Sequence, residues 1–307
     1  MVTLRMARIL VSGSSGLLGS VLVPSLKAGG AQIARLTRPS SAHTGQREEE
    51  SIPWNPAQPL DPALVSGFDA IIHLAGENVA GRWTDAKKAR IRDSRIPATN
   101  NLAQALAQAK EKPEVFLSAS AIGYYGNRGD EVLNEESSGG AGFAADLARD
   151  WETASAPAAT AGIRTARMRI GIVLGKSGGA LQKMLLPFKM GVGGRIGDGR
   201  QWMSWVDVQD VVGAIHHILR TDLLSGPVNL VAPKPVTNAD FTKTLASVLH
   251  RRAIFPVPAF AAKIAFGQMA DELLLGSQRV EPSKLISSGY PFRFGELRAS
   301  LEEILRH

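Results

Sequence analysis

Hydrophobic and polar positions follow two rhythms along this chain. ARILVSG is a short β-branched run closed by a glycine, and SSGLLGSVLVPSLKAGG after it spaces its apolar residues at the helical period before stopping at Gly29 and Gly30. AQIARLTR predicts a second strand, and the polar stretch PSSAHTGQREEE an exposed loop. FDAIIHLAG, EVFLSAS and RTARMRIGIVLG predict further strands, separated by long helical patterns at about 84–110 and 143–162. Strands alternating with helices imply an α/β fold with a parallel sheet covered on both faces. Right-handed crossovers make a doubly wound sheet the economical arrangement.

The rhythm changes after Gly175. GGALQKMLLPFKMGVGGRIGDGRQW predicts a helix and a glycine-rich loop, VDVQDVVGAIHHIL a helix opened by Asp207 or Asp210, and GPVNLVA another strand. From about residue 233 helices are separated by proline, as in FPVPAF, with no further strand–helix–strand repeat. The expected division is a larger α/β unit over 1–175 to which 205–232 returns, and a smaller α/β unit formed by 176–204 and 233–307.

Composition adds exclusions. The 307 residues include no cysteine, so disulfides, thiolate metal sites and cysteine nucleophiles are absent. Only His216 and His217 are neighbours among the six histidines, and adjacent helical residues diverge by about 100°, so no metal site is expected. The net charge of +7 is spread along the chain without an aromatic-basic motif. Such a charge would suit a nucleic-acid binder, but attraction of phosphorylated small molecules explains it equally well. Lys263, Asp271 and Glu272 interrupt AFAAKIAFGQMADELLLG, and the opening residues run straight into a strand. The expectation is a cytoplasmic protein with no membrane partner; a homodimer is compatible with the sequence.

Gly13, Gly16 and Gly19 form a GxxGxxG between the first strand and the first helix. The first permits a sharp turn, the second lets backbone approach a pyrophosphate, and the third lets helix and strand pack closely. In a Rossmann sheet the helix start then meets the anion. About 20 residues on, where an NAD protein offers a carboxylate, the second strand ends RLTRPSS. The nearest acid is Glu48, out in the loop, whereas Arg35, Thr37, Arg38 and Ser40 are in range. A guanidinium can fork onto a 2′-phosphate, so the cofactor predicted is NADP(H), with Arg38 as main contact.

VSGSSGLLG, HLAGENVAGRW, KARIRDSRIPATNNL, SASAIGYYG and RIGIVLG, in that order, resemble the extended short-chain dehydrogenases/reductases. GRQWMSWVDVQDVV, GPVNLVAPKPVTNADFTKTLA and PVPAFAAKIAFGQMADELLLGSQRVEPSKL narrow the similarity to the atypical NAD(P)-dependent epimerase-like family that ends in a C-terminal domain of unassigned role. The resemblance implies that Gly13, Gly16, Leu17 and Leu18 surround the pyrophosphate, and that Thr37 and Arg38 meet the adenosine phosphate. It further implies that Leu74 and Ala75 line the groove and that Arg95 lies near the cofactor. GDGRQW resembles a segment that meets a nucleotide diphosphate, making Arg200 a candidate anchor for an anionic substrate. Asp207 stands where relatives commonly show histidine, and Asp210 reads as a helix N-cap. Trp202, Met203 and Trp205 alternate at strand spacing and could wall a pocket or fill the junction between units.

The same superfamily uses a serine or threonine, a tyrosine, and a lysine four residues later for proton transfer, because i and i+4 share a helix face. Similarity places Ala121, Phe143 and Leu147 at those positions. No tyrosine lies between 126 and 289 and no lysine between 113 and 175, so a shifted register does not restore them. The loss costs about 10²- to 10⁴-fold, or about 3 to 5 kcal/mol. Replacement donors in range are Ser118, Ser120, Tyr124, Tyr125 and Asp146, with Ser120, Tyr124 and Tyr125 foremost. Two functions follow: an epimerase-like NADP(H) oxidoreductase on a small, anionic carbonyl or sugar-like substrate, or a degenerate reductase that binds NADP(H) and reports its state.

Overall fold

A computed structural model describes residues 6–38, 50–176 and 178–306. Its strands are β1 (Arg8–Ser12), β2 (Gln32–Thr37), β3 (Glu50–Pro53), β4 (Ala70–His73), β5 (Val115–Ala121), β6 (Val132–Leu133), β7 (Arg164–Ile170), β8 (Ile172–Leu174), β9 (Trp202–Met203), β10 (Trp205–Asp207), β11 (Gly226–Leu230), β12 (Val236–Thr237) and β13 (Arg279–Val280). Its helices are α1 (Leu17–Ala28), α2 (Asp85–Asp93), α3 (Ile96–Gln108), α4 (Phe143–Ala154), α5 (Ala156–Thr160), α6 (Gly179–Lys189), α7 (Val208–Arg220), α8 (Asn238–Val248), α9 (Ala259–Phe266), α10 (Ser283–Ser287) and α11 (Leu297–Leu305).

Seven strands form a parallel sheet in the order β11-β7-β5-β4-β1-β2-β3. The chain winds outward from β1 in both directions, so a crevice opens at the carboxyl ends of β1 and β4. Successive side chains of a strand face opposite layers. Ile9 and Val11 accordingly pack under α1 and α7 with Leu22, Leu26, Val211 and Ile215. Leu10, with Ile71 and Phe116, packs on the other face against Leu102 and Leu106 of α3. Burial on both faces explains why these strands read as continuous apolar runs.

Each long helical pattern resolves into two helices. Pro97 lies in the first turn of α3, and Pro157 in the first turn of α5. Proline has no N–H to donate and clashes with the preceding turn, so each helix must restart there.

Beyond β8 the chain builds small two-stranded ribbons, β8 with β10, β9 with β12 and β6 with β13. A third apolar cluster joins Leu181 and Phe188 of α6, Phe241 and Leu245 of α8, and Leu297 and Leu301 of α11 around Trp205. Residues 283–292 are an exception to the expected division, because Leu285, Tyr290 and Phe292 pack on the α1/α7 core. Asp207 caps α7 by accepting from the Gln209 N–H at 2.8 Å. Asp210 is not the cap. Its carboxylate accepts from the N–H groups of Arg293 and Phe294, both at 2.8 Å, and so ties the C-terminal segment to α7.

His73, at the end of β4, is fully buried and shares a 2.6 Å hydrogen bond with the Ser12 hydroxyl through Nδ1. Burial first, then the Arg95 guanidinium, push its pKa down to about 4. The neutral form therefore holds the fold at pH above about 6.5, the unfolded value, and stability drains as pH falls from there toward 4, by roughly 3 kcal/mol in all. Melting temperatures between pH 7 and pH 5 should fall less steeply in His73→Gln than in the parent. A slope that does not change would mean other groups control acid unfolding. His216 and His217 are also shifted downward, chiefly by burial, so some slope remains in the variant.

Candidate functional site

The crevice is framed by the β1–α1 turn, the end of β2 and the loop after β4. Gly13 has φ +70°, and a Cβ there would lie 2.7 Å from both Leu74 C and Ala75 N. Backbone thus abuts backbone between the glycine turn and the Leu74–Ala75 strand end. A Cβ on Gly19 would lie 2.3 Å from the Gly13 carbonyl oxygen, which is why helix and strand can approach only through glycine. Gly16 meets nothing closer than 3.4 Å, so its lack of a side chain serves the open side of the turn. Helix α1 starts at Gly16 with no side-chain cap and no acidic residue in its first turn. The amides of Leu17 and Leu18 have no acceptor within the helix, and this end attracts anions. Only the backbone of Leu18 is offered, because its side chain packs into the core. The Leu17 side chain sits against Gly175 and Gly179, linking the turn to the start of α6.

Thr37 ends β2, its hydroxyl 2.9 Å from that of Ser51, and Arg38 follows on the exposed side. Ser40 and Glu48 lie outside the described residues. No carboxylate is placed at the end of β2 among the described residues, and the charge there is cationic. A pyrophosphate under α1 with an adenosine phosphate at Thr37 and Arg38 fits this arrangement.

Arg95 supports the floor of the crevice. Its guanidinium is buried, donates to the Glu77 carbonyl at 2.9 Å and to the Ile91 carbonyl at 3.2 Å, and lies 5.0 Å from the Trp151 ring centre. It packs under Gly76, whose Cβ would meet it at 3.0 Å. Burial pushes its pKa down to about 10, against the pull of Glu77. The geometry makes it a brace for the 74–77 loop.

The hydroxyl candidates separate. Ser120 is buried and donates to Glu152 Oε1 at 2.8 Å. Glu152 in turn holds Arg169 through two bonds, from Nε at 2.7 Å and from Nη2 at 2.9 Å. Arg169 Nη1 donates to the Tyr125 hydroxyl at 3.0 Å, and that hydroxyl lies 2.8 Å from the Asn134 carbonyl and 2.7 Å from Asn229 Oδ1. Burial outweighs Arg169 and pushes the Tyr125 phenol up to about 12. Ser120 and Tyr125 are therefore engaged in an internal network. Tyr124 differs: it is half-buried, its ring lies 3.5 Å from the Arg169 guanidinium carbon, and its hydroxyl takes no partner among the described residues. Ser118 is buried, and Asp146 forms an exposed pair with Arg149 at 2.9 Å.

The positions of the expected phenol and ammonium are apolar in space as well as in sequence. Leu147 is buried with Trp83, Ile91 and Met269, and the Phe143 ring meets Trp83 edge-on at 5.0 Å. Met269 comes from the C-terminal region, which brings a second contact. The Glu272 carboxylate accepts from the Phe143 N–H at 3.0 Å and the Ala144 N–H at 2.7 Å, capping α4 from across the chain. Gly142, at φ +107°, leaves room for it. Sequence reading singled out neither Glu272 nor the Glu152–Arg169 pair. Partners 128 and 17 residues apart give no local pattern, and only the missing lysine and tyrosine hinted that something else occupies that face.

Arg200 is exposed on a turn whose backbone is fixed by Asp198, 3.0 Å from the Arg200 N–H. Trp202 donates from Nε1 to Asp130 at 2.8 Å and stacks 4.5 Å under Arg279. It fills the junction between the β5–α4 connection and β13. Among the described residues no group of three or more His, Asp or Glu is placed to hold a metal.

Residues 9–230 match the model of the NAD dependent epimerase/dehydratase family, and residues 257–304 match a domain of unknown function, DUF1731. The chain is 41% identical over 297 residues to the epimerase family protein Mb2239 of Mycobacterium bovis, covering 96% of each. It is 36% identical over 298 residues to the epimerase family protein YfhF of Bacillus subtilis, covering 97% of each. The crystal structure of the human epimerase family protein SDR39U1 with NADPH superposes with a TM-score of 0.87 at 34% identity, over 97% of this chain and 98% of that one. With nearly the whole length shared and the glycine turn set at the crevice of a doubly wound sheet, this chain is a member of the NAD dependent epimerase/dehydratase family.

Proposed function

We propose that the chain binds NADP(H) in the β1/β4 crevice and catalyses hydride transfer on a small, anionic carbonyl or sugar-like substrate. The observation that carries this reading is the turn itself, where Gly13 and Gly19 admit no Cβ and α1 begins uncapped. The amides at that uncapped end are free to receive an anion, and the close turn fits a pyrophosphate. NADPH in the human relative supports the choice of cofactor.

The cofactor, when bound, would serve as the hydride carrier. The chain's part is to bind the pyrophosphate with the first amides of α1, to fork Arg38 onto the 2′-phosphate, and to seat the nucleotide against the Leu74–Ala75 backbone. Arg200 anchors the anionic group of the substrate. Tyr124 is the proton donor left after Ser120 and Tyr125 are accounted for, and the apolar wall of Phe143 and Leu147 excludes water without supplying a proton. In calorimetry, Arg38→Glu should weaken NADPH binding roughly 10- to 100-fold and leave NADH nearly unchanged, the value of a charge-assisted phosphate contact. Equal NADPH affinity in the variant would remove Arg38 from the site.

A second reading, an NADP(H)-responsive protein without turnover, is favoured by one observation: Leu147 and Phe143, packed with Met269 and Trp83, put apolar side chains where the superfamily's proton-transfer pair stands. NADPH oxidation against a panel of carbonyl compounds separates the two. Turnover that drops about 10²-fold in Tyr124→Phe, with NADPH affinity intact, supports the enzyme. Tight NADPH binding with no turnover on any member supports the sensor.

A further inference from the structure

The C-terminal side of the molecule presents an apolar and basic face that the proposed chemistry leaves unused. Leu186, Met190 and Val192, on α6 and the turn after it, are exposed, as are Ile254, Phe255 and Phe260 before and within α9, with fractions from 51% at Val192 to 67% at Phe260. Pro256 and Pro258 keep the 254–258 segment extended, so consecutive apolar residues stand outward instead of folding into a helix. The two stretches touch. Val257 N–H donates to the Arg195 carbonyl at 2.8 Å, Gly197 N–H to the Val257 carbonyl at 2.9 Å, and Arg251 Nε to the Lys189 carbonyl at 3.3 Å.

Charge on this face is predominantly positive, with Asp198 and Asp240 at its edge. Residues 176–197 and 241–270 contain no aspartate or glutamate. Lys183, Lys189, Arg195, Lys243, Arg251 and Arg252 are all exposed, and none forms an ion pair among the described residues. Lys263 is compensated by Asp271 at 2.7 Å. At Ala253, two residues before Phe255, opens a cavity of about 460 Å³ lined by Arg195, Lys243 and Arg251 with Thr242 and Ser247, a donor set with no acid in it. Soluble proteins rarely expose contiguous apolar surface without a partner. A protein partner would have to match apolar tips and a predominantly positive field together. A bilayer carrying anionic headgroups offers both, with acyl chains for Leu186, Phe255 and Phe260 and phosphates for the cavity.

We propose that this face docks the protein reversibly on membranes containing anionic phospholipid, with the Arg195–Lys243–Arg251 cavity receiving a headgroup phosphate. No helix among the described residues is long and apolar enough to cross a membrane, and surface docking requires none.

Sedimentation of the full chain with vesicles of phosphatidylcholine alone, and of phosphatidylcholine with phosphatidylglycerol, tests this. Binding is expected only to the second, and should be lost at high salt. Arg195→Gln/Arg251→Gln should weaken it about 25-fold, about fivefold for each cation removed. Phe255→Ser/Phe260→Ser should weaken it at least about tenfold with an unchanged melting curve, since both side chains are already exposed. The proposal is overturned if the parent fails to sediment with the anionic vesicles, or if neither double variant weakens binding. It is equally overturned if Phe255→Ser/Phe260→Ser converts a dimer to a monomer in gel filtration while the parent ignores vesicles, which would assign the face to a second copy of the chain.

Discussion

Gly19→Ala is expected to abolish NADPH binding and to lower the melting temperature sharply, although alanine is the better helix former by about 1 kcal/mol. The reason is contact with fixed backbone. The new Cβ would fall 2.3 Å from the Gly13 carbonyl oxygen and 2.5 Å from Ser14 Cα, and neither atom is the end of a flexible side chain. Relief requires α1 to move off β1 by about an ångström, which uncouples the amides of Leu17 and Leu18 from the anion and opens the core around Leu22 and Leu26. Gly16→Ala provides the contrast. Its Cβ has ordinary contact at 3.4 Å, so the fold should lose no more than about 1 kcal/mol for the changed cap, while NADPH affinity falls because the methyl occupies the approach to the pyrophosphate. Thermal melting and calorimetry on both variants check the pair. A Gly19→Ala protein with normal melting and normal affinity would mean the turn is not the cradle.

The second large effect belongs to the Glu152–Arg169 pair, whose side chains are 7% and 3% exposed. Glu152→Leu leaves the guanidinium buried with only the Tyr125 hydroxyl and ring faces for company, and should cost about 3 to 5 kcal/mol. That is a large share of a total stability on the order of 5 to 15 kcal/mol. Arg169→Met strands the carboxylate in the same way. The double replacement should recover most of the loss, because two apolar side chains of similar volume leave no buried charge behind. Urea midpoints for the four proteins, at constant slope, measure the coupling. Near-additive losses would show that the two groups do not depend on each other. Tyr125→Phe should also destabilise, by about 1 to 3 kcal/mol, by removing a hydroxyl with three partners. It should leave any NADPH-dependent turnover intact, which separates its role from that of Tyr124.

The doubly wound parallel sheet, the placement of GxxGxxG between its first strand and helix and the cationic end of β2 could all be read along the chain. Each depends on residues a few positions apart, where period and glycine placement carry the information. The two long helical patterns, by contrast, each break into two helices, at Pro97 and Pro157, because proline acts on its own turn. The roles of Ser120, Tyr125 and Asp210 were not. All three sit where local spacing suggests a donor or a cap, and in each case a distant partner, Glu152, Asn229 or the 293–294 backbone, uses the group instead. The absence of tyrosine and lysine from α4 was plain in the sequence, but what takes their place was decided by the C-terminal region folding back, with Met269 over Leu147 and Glu272 at the start of α4. A polar group's function is set by which partner reaches it first. For partners remote in the chain, only packing in three dimensions determines that.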